Sequence, residues 1–146
     1  MIEFIEGLLD AKRKDSIVVN VNGIGYKIQI STNSYSQLPD VYKSLRISTY
    51  FNVSENNQEL YGFIDESERE LFVMLISVSG IGPKTALGML SAVAPSDFKN
   101  RLIAGEVKML TALPGIGPKT AKRIIIELKD KFIKTDEESL PIEDND

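Results

Sequence analysis

The chain of 146 residues contains no cysteine and no histidine. The first absence removes disulfides and thiolate metal sites. The second removes imidazole ligands and every nucleophilic mechanism that depends on a histidine base. An all-carboxylate metal site is left, but no tight acidic pair stands in a helical or strand context that suggests one, and no metal or cofactor is expected. Long apolar runs are also missing, so no segment reads as a membrane span. The start, Met1-Ile2-Glu3, lacks the charged and apolar regions of a signal peptide. The expectation is a soluble, cytoplasmic protein without membrane contact. With 42% apolar residues the chain can still bury a real core, enough for one ordinary domain or two small ones.

What is present is a repeat. Gly-Ile-Gly-Pro-Lys-Thr-Ala runs from Gly80 to Ala86 and again from Gly115 to Ala121, an offset of 35 residues. Seven identical positions mark a duplicated structural unit. In each copy an apolar helical pattern precedes the glycines and another follows the proline. Gly80, Gly82, Gly115 and Gly117 carry no side chain to hold a ligand off. Pro83 and Pro118 suit the first position of a new helix. The amides of that helix start, with Thr85 and Thr120 in its first turn, are expected to face a phosphate oxygen at the positive end of the helix dipole. Lys84 and Lys119 add a full charge beside them. Ile81 and Ile116 are expected to point inward and pin each turn to its helices.

Other glycine-rich loops fit worse. A Walker loop needs Gly directly before Lys-Thr, where Pro83 and Pro118 stand instead. A dinucleotide fingerprint needs a third glycine, where Thr85 and Thr120 stand. An ordinary helix–helix turn with a glycine cap explains one copy well, but two identical copies, each with a lysine, less well. The pattern resembles the helix-hairpin-helix motif, here as a tandem pair. That resemblance implies binding to the sugar-phosphate backbone of double-stranded DNA across a minor groove, without base readout.

A net charge of −4 sits awkwardly with DNA binding until its distribution is read. Residues 1–65 carry 6 basic and 8 acidic side chains, residues 66–134 carry 11 and 7, and residues 135–146 carry none and 6. The positive charge lies in the repeat-bearing segment, and the local field decides where phosphate binds.

Residues 1–65 read as strands: Ile2–Leu9, Ser16–Val21, Tyr26–Ile30, Ile47–Val53 and Glu59–Ile64, with alternation in the third and fourth. Asn22-Gly23 is a hairpin signal, Glu55-Asn56-Asn57 a polar turn, and residues 33–38 fit one helical turn. Five short strands with a helical interruption suit an OB-type Greek-key barrel or another small barrel. From Asp65 the period becomes helical. Ser67 and Glu70 form a capping box, and Leu71, Phe72, Leu75 and Ile76 share an apolar face. Pro95 opens a third helix that Gly105 ends. The last helix, from Pro118, buries Ala121, Ile124, Ile125 and Leu128 and leaves Lys119, Lys122, Arg123 and Lys129 outside. Ile126 lies off that stripe as a singly exposed apolar residue. The fold class is therefore α+β: an OB-type five-stranded β-barrel at 1–65, an all-α tandem helix-hairpin-helix domain at 66–133, and an acidic, disordered tail or truncated linker at 134–146.

With barrel, hairpins and spacing in view, the chain resembles the RuvA family of Holliday-junction-binding subunits. The match runs from Met1 to about Phe132 and includes Val21-Asn22-Gly23-Ile24-Gly25-Tyr26, Leu60-Tyr61-Gly62-Phe63 and both heptapeptides. The resemblance implies a homotetramer, or an octamer on DNA, that holds a four-way junction open and flat for branch migration in recombination and repair. It implies a RuvB-type motor ATPase and a RuvC-type resolvase as partners, with no catalysis by this chain. The DNA-binding residues implied are Gly80, Ile81, Gly82, Lys84, Thr85, Gly115, Ile116, Gly117, Lys119, Thr120, Lys122 and Arg123. The family also has an acidic pin of two adjacent acids between the last two barrel strands. Glu55 and Asn56 match it with one acid and one amide, with Glu59 a candidate to compensate. Family members usually continue into a small helical domain that contacts the motor. This chain stops in what resembles the linker, which implies impaired motor contact.

Two other function classes compete. Tandem hairpins also occur in glycosylases, ligases and polymerases, but a catalytic Asp–Lys pair, a nucleotide-accepting lysine or clustered metal carboxylates are not evident. A subunit-joining module would need fewer cations beside the turns than Lys84, Lys119, Lys122 and Arg123 supply, and these favour phosphate over protein; a generic, non-sequence-specific duplex DNA-binding module is the alternative reading.

Overall fold

The computed structural model describes residues 1–139, with side chains described as far as Ile133. Five strands close into a barrel in the order β1-β2-β3-β5-β4. They are β1 (Phe4–Lys12), β2 (Ser16–Val21), β3 (Ile24–Ile30), β4 (Ser44–Ser54) and β5 (Asn57–Phe63). β3 and β5 pair in parallel, and the other neighbours are antiparallel. This is the OB-like Greek-key closure, which leaves no free sheet edge. A register shift between Leu9 and Ala11 marks a bulge in β1, the usual device for bending a strand around a small barrel. A short helix α1 (Thr32–Tyr35) bridges β3 and β4.

Period-two alternation sends Ile5, Leu9, Ile17, Val19, Ile28 and Ile47 to the barrel interior, where each is buried. Asn22 and Gly23 have φ of 52° and 92°, as a type I′ hairpin turn requires. The Gly23 amide donates to Asn20 Oδ1 at 2.8 Å. Gly62 is a close-approach position: a Cβ there would stand 2.5 Å from Ile28 Cγ2 and 2.7 Å from Ile47 Cδ1.

Five helices follow: α2 (Glu66–Ile76), α3 (Pro83–Ala92), α4 (Pro95–Ile103), α5 (Val107–Thr111) and α6 (Pro118–Ser139). Their core reaches back across residue 65. Tyr61 and Phe63 of β5 are buried with Leu71, Phe72, Leu75 and Met89 in one cluster. The Phe72 ring lies 4.9 Å from Phe63 and 5.4 Å from Tyr61, centroid to centroid. A fully buried side chain of that size stabilises by roughly 2–3 kcal/mol, so the barrel and the helices are bound together by shared apolar burial.

The α2 start differs from the capping box expected at Ser67 and Glu70. Asp65 is the N-cap, and its Oδ1 accepts from the Ser67 amide at 3.3 Å. Aspartate caps as well as serine does, and starting two residues earlier places Glu66 and Glu68 in the first turn, where the helix dipole favours acids. It also turns Glu68 and Arg69 toward the barrel. Glu68 is fully buried and accepts from Ser31 Oγ, Asn33 Nδ2 at 2.8 Å and Ser34 Oγ at 3.1 Å. Arg69 donates through Nε to the Thr49 carbonyl at 2.7 Å and pairs with Glu3 at 3.0 Å and Glu66 at 2.9 Å.

At the other end, α6 continues to Ser139, so the backbone of residues 134–139 is helical, in the stretch for which a disordered tail or truncated linker was expected. Propagating a formed helix gains one hydrogen bond per residue fixed, which favours continuation until a breaker arrives. The rest of that tail expectation falls on residues 140–146, outside the described residues. Among the described residues no helix is long and apolar enough to cross a membrane.

Candidate nucleic-acid interface

Both heptapeptides fold into the same turn, hydrogen bond for hydrogen bond. After α2, the Val78 amide donates to Leu75 O at 3.1 Å and the Ile81 amide to Val78 O at 3.1 Å. After α5, the Leu113 amide donates to Leu110 O at 3.0 Å and the Ile116 amide to Leu113 O at 3.3 Å. Gly80 and Gly115 sit at φ of 93° and 80°, a left-handed conformation that a Cβ disfavours. Ile81 and Ile116 are 5% and 6% exposed. Their side chains are therefore internal plugs, and these two residues can offer a ligand only their backbone.

The next helix then starts on glycine and proline. Gly82 is the N-cap of α3 at φ −91° and ψ 172°, with no side-chain cap and with Pro83 in the first turn. The Ala86 amide donates to Gly82 O at 3.0 Å, and the Ala121 amide donates to Gly117 O at 2.9 Å. Where no side chain caps a helix, its first amides are left to water or a ligand. Neither α3 nor α6 has an acid in its first turn, whereas α2 and α4 both do. The helix dipole ordinarily recruits acids there. Their absence at both repeated turns keeps those positive ends open to an outside anion.

The two turns stand side by side. A Cβ on Gly115 would come within 3.8 Å of Thr85 Cγ2, so the first turn of α3 touches the second hairpin. Arg123 Nη1 donates to Ser79 O at 3.3 Å, so α6 touches the first hairpin. Gly82 and Gly117 have open space where a Cβ would be. Lys84, Lys119, Lys122 and Arg123 are exposed, and Thr85 and Thr120 half-buried. Lys84, Lys119 and Lys122 form no ion pair with the described residues. The arrangement presents two anion-receptive helix starts with cations around them, a geometry suited to one backbone strand's successive phosphates.

Glu55 and Asn56 form the two-residue turn between β4 and β5, where Ser54 pairs with Asn57. Both are exposed, and neither is at positive φ. They are not in the hairpin cluster. A groove connects the two regions, lined by Asn52, Asn57, Glu59 and Tyr61 on the barrel and Gly82–Thr85 on the first hairpin. Glu59 is not a free acid: its Oε1 accepts from Asn57 Nδ2 at 3.1 Å and its Oε2 from the Tyr61 hydroxyl. That bond and the Glu68 cluster escape a sequence reading. Glu68 does leave a signal, because positions 68, 71, 72 and 75 share one helical face and a lone carboxylate on an apolar stripe needs buried donors.

Comparison with known proteins agrees with this geometry. Residues 1–62 match the RuvA N terminal domain family, and residues 72–130 match the SAM-like helix-hairpin-helix tandem family. A protein of Chloroherpeton thalassium is 46% identical over 136 residues, covering 93% of this chain and 68% of that protein. One of Lachnospira eligens is 48% identical over 137 residues, 94% of this chain and 66% of the relative. One of Acetivibrio thermocellus is 44% identical over 134 residues, 92% and 66%. Each is named Holliday junction branch migration complex subunit RuvA. The chain spans about two thirds of the length of these relatives. On matched families, identity and coverage together, the chain belongs to the RuvA family.

Proposed function

We propose that this chain is a non-catalytic subunit that binds four-way DNA junctions. It acts as a homotetramer that holds the junction open and flat while a RuvB-type ATPase drives branch migration. The barrel of residues 1–65 and the helical unit of residues 66–133 are the two working parts. Each subunit receives the backbone of one arm on the amides of Gly80, Gly82, Lys84 and Thr85 and of Gly115, Gly117, Lys119 and Thr120. Lys84, Lys119, Lys122 and Arg123 neutralise its phosphates, and contact is made without base readout. Glu55, with Asn56 beside it, faces the centre and turns strands into the arms by repelling their phosphates.

One observation carries the reading: two adjacent, acid-free helix starts reached by identical glycine turns. Lys84→Glu together with Lys119→Glu should weaken binding to a synthetic junction by at least ~100-fold, since each removed phosphate contact and added repulsion acts through counterion release. Circular dichroism and thermal melting should be unchanged because both lysines are exposed. Unaltered affinity in a folded double variant would defeat the phosphate-cradle reading.

A further inference from the structure

Asn57, Glu59 and Tyr61 occupy alternate positions of β5 and therefore share one face of the strand. Their side chains form a continuous chain of hydrogen bonds: Asn57 Nδ2 donates to Glu59 Oε1 at 3.1 Å, and the Tyr61 hydroxyl donates to Glu59 Oε2. The lower end is rigid. Tyr61 is 1% exposed and its ring lies 5.4 Å from Phe72, in the cluster that also buries Ile81 of the first hairpin. The upper end is the turn, since Asn57 pairs with Ser54 and also accepts from Ser54 Oγ at 3.4 Å. The β4–β5 ladder holds the strands up to Val53↔Gln58 and Ser54↔Asn57, but the two exposed turn residues lie beyond it, and Glu55 makes no side-chain hydrogen bond or ion pair with the described residues. The same face lines the groove beside Gly82–Thr85.

We propose that Glu59 is a positioning residue for junction recognition, tying the Glu55–Asn56 turn through Asn57 and Tyr61 to the core that holds the first hairpin. The distance between the repelling carboxylate and the phosphate cradle is thereby fixed. Burial, then the hydrogen bond to Glu59 and the charge of its carboxylate, push the Tyr61 hydroxyl well above the ordinary tyrosine range, so it stays a donor in this chain throughout neutral pH. The other role considered for Glu59, a second free acid at the tip, is disfavoured because both of its oxygens are already engaged. This inference rests on the junction-binding reading, and its test separates the two.

The variants are Glu59→Ala, Glu59→Gln and Tyr61→Phe in the full chain, with Glu55→Ala as reference. Binding is measured to a four-way junction and to a linear duplex, and 15N order parameters are measured at Glu55 and Asn56 in the free protein. Glu59→Ala should lower the junction-to-duplex affinity ratio by ~10-fold, in the range of lost charge-assisted hydrogen bonds, with duplex affinity within about twofold. It should drop the turn's order parameters below ~0.6. Glu59→Gln keeps an acceptor for Tyr61 and should recover part of both effects, and Tyr61→Phe should show both at reduced size. A purely stabilising role would lower the melting temperature and leave the ratio and the order parameters alone. Order parameters unchanged in Glu59→Ala overturn the brace whatever the DNA result. A wild-type chain that does not prefer the junction defeats the junction reading instead, and the order parameters still decide the brace.

Discussion

Three neutral donors, and no cation among the described residues, satisfy the Glu68 carboxylate where it crosses from α2 to the barrel. Two of the donors are tied in turn: Ser31 Oγ accepts from the Ser34 amide, and Ser34 Oγ accepts from the Ile64 amide. A buried carboxyl group held this way strongly resists loss of any partner, because the remaining groups cannot return to water. Glu68→Ala should cost about 3 kcal/mol or more, and Ser31→Ala about 1–3 kcal/mol, read from urea unfolding midpoints at constant m-value. Losses below about 0.5 kcal/mol in both would contradict the account of the joint. At this scale the sequence was only half legible. The stripe at 68, 71, 72 and 75 flags Glu68 as odd, but its donors lie 34 to 37 residues upstream, and no local pattern pairs them. The Asp65 cap was hidden differently, since a good capping signal at Ser67 competed two residues away.

The hairpins were the most legible elements because every bond that shapes them is local. Carbonyl and amide lie three or four residues apart in both copies, so seven identical residues are enough to dictate the turn. The glycines within them nevertheless do different work. Gly115, at φ 80° with nothing closer than Thr85 Cγ2 at 3.8 Å, is needed for its conformation. Gly82 is at negative φ with open space around it, so its conformation does not require glycine, and on the proposed reading it serves the close approach of DNA. Gly115→Ala should therefore cost about 1–2 kcal/mol of stability. Gly82→Ala should cost less than about 1 kcal/mol yet weaken DNA binding. Thermal melts and junction titrations on the two variants would show this crossover, and equal effects on both readouts would refute the distinction. Barrel strands were legible in number but not in extent. β4 begins at Ser44, three residues before the alternation becomes clear, because its first pairing is with β1, far along the chain.

For the whole molecule, charge sign and burial tell one story. The repeat-bearing segment is basic although the chain is net acidic, and the shared cluster around Phe72 fixes that segment against the barrel. On the proposed reading, function at this scale depends on holding an acidic turn and two phosphate-receptive turns at a set spacing. Neither part does this alone, and spacing is what composition cannot reveal. The relatives cover the fold over 92% or more of this chain, while the proposed assembly and junction opening require several copies acting together. The decisive measurement is competition binding of the purified chain to a synthetic four-way junction against linear duplex of equal length, at moderate salt with Mg²⁺, with the mass of the complex determined in parallel. The account predicts a junction preference of at least ~100-fold, carried by a four-subunit complex and falling steeply with salt. Equal affinity for both DNAs, or a monomeric complex with the junction, would contradict it.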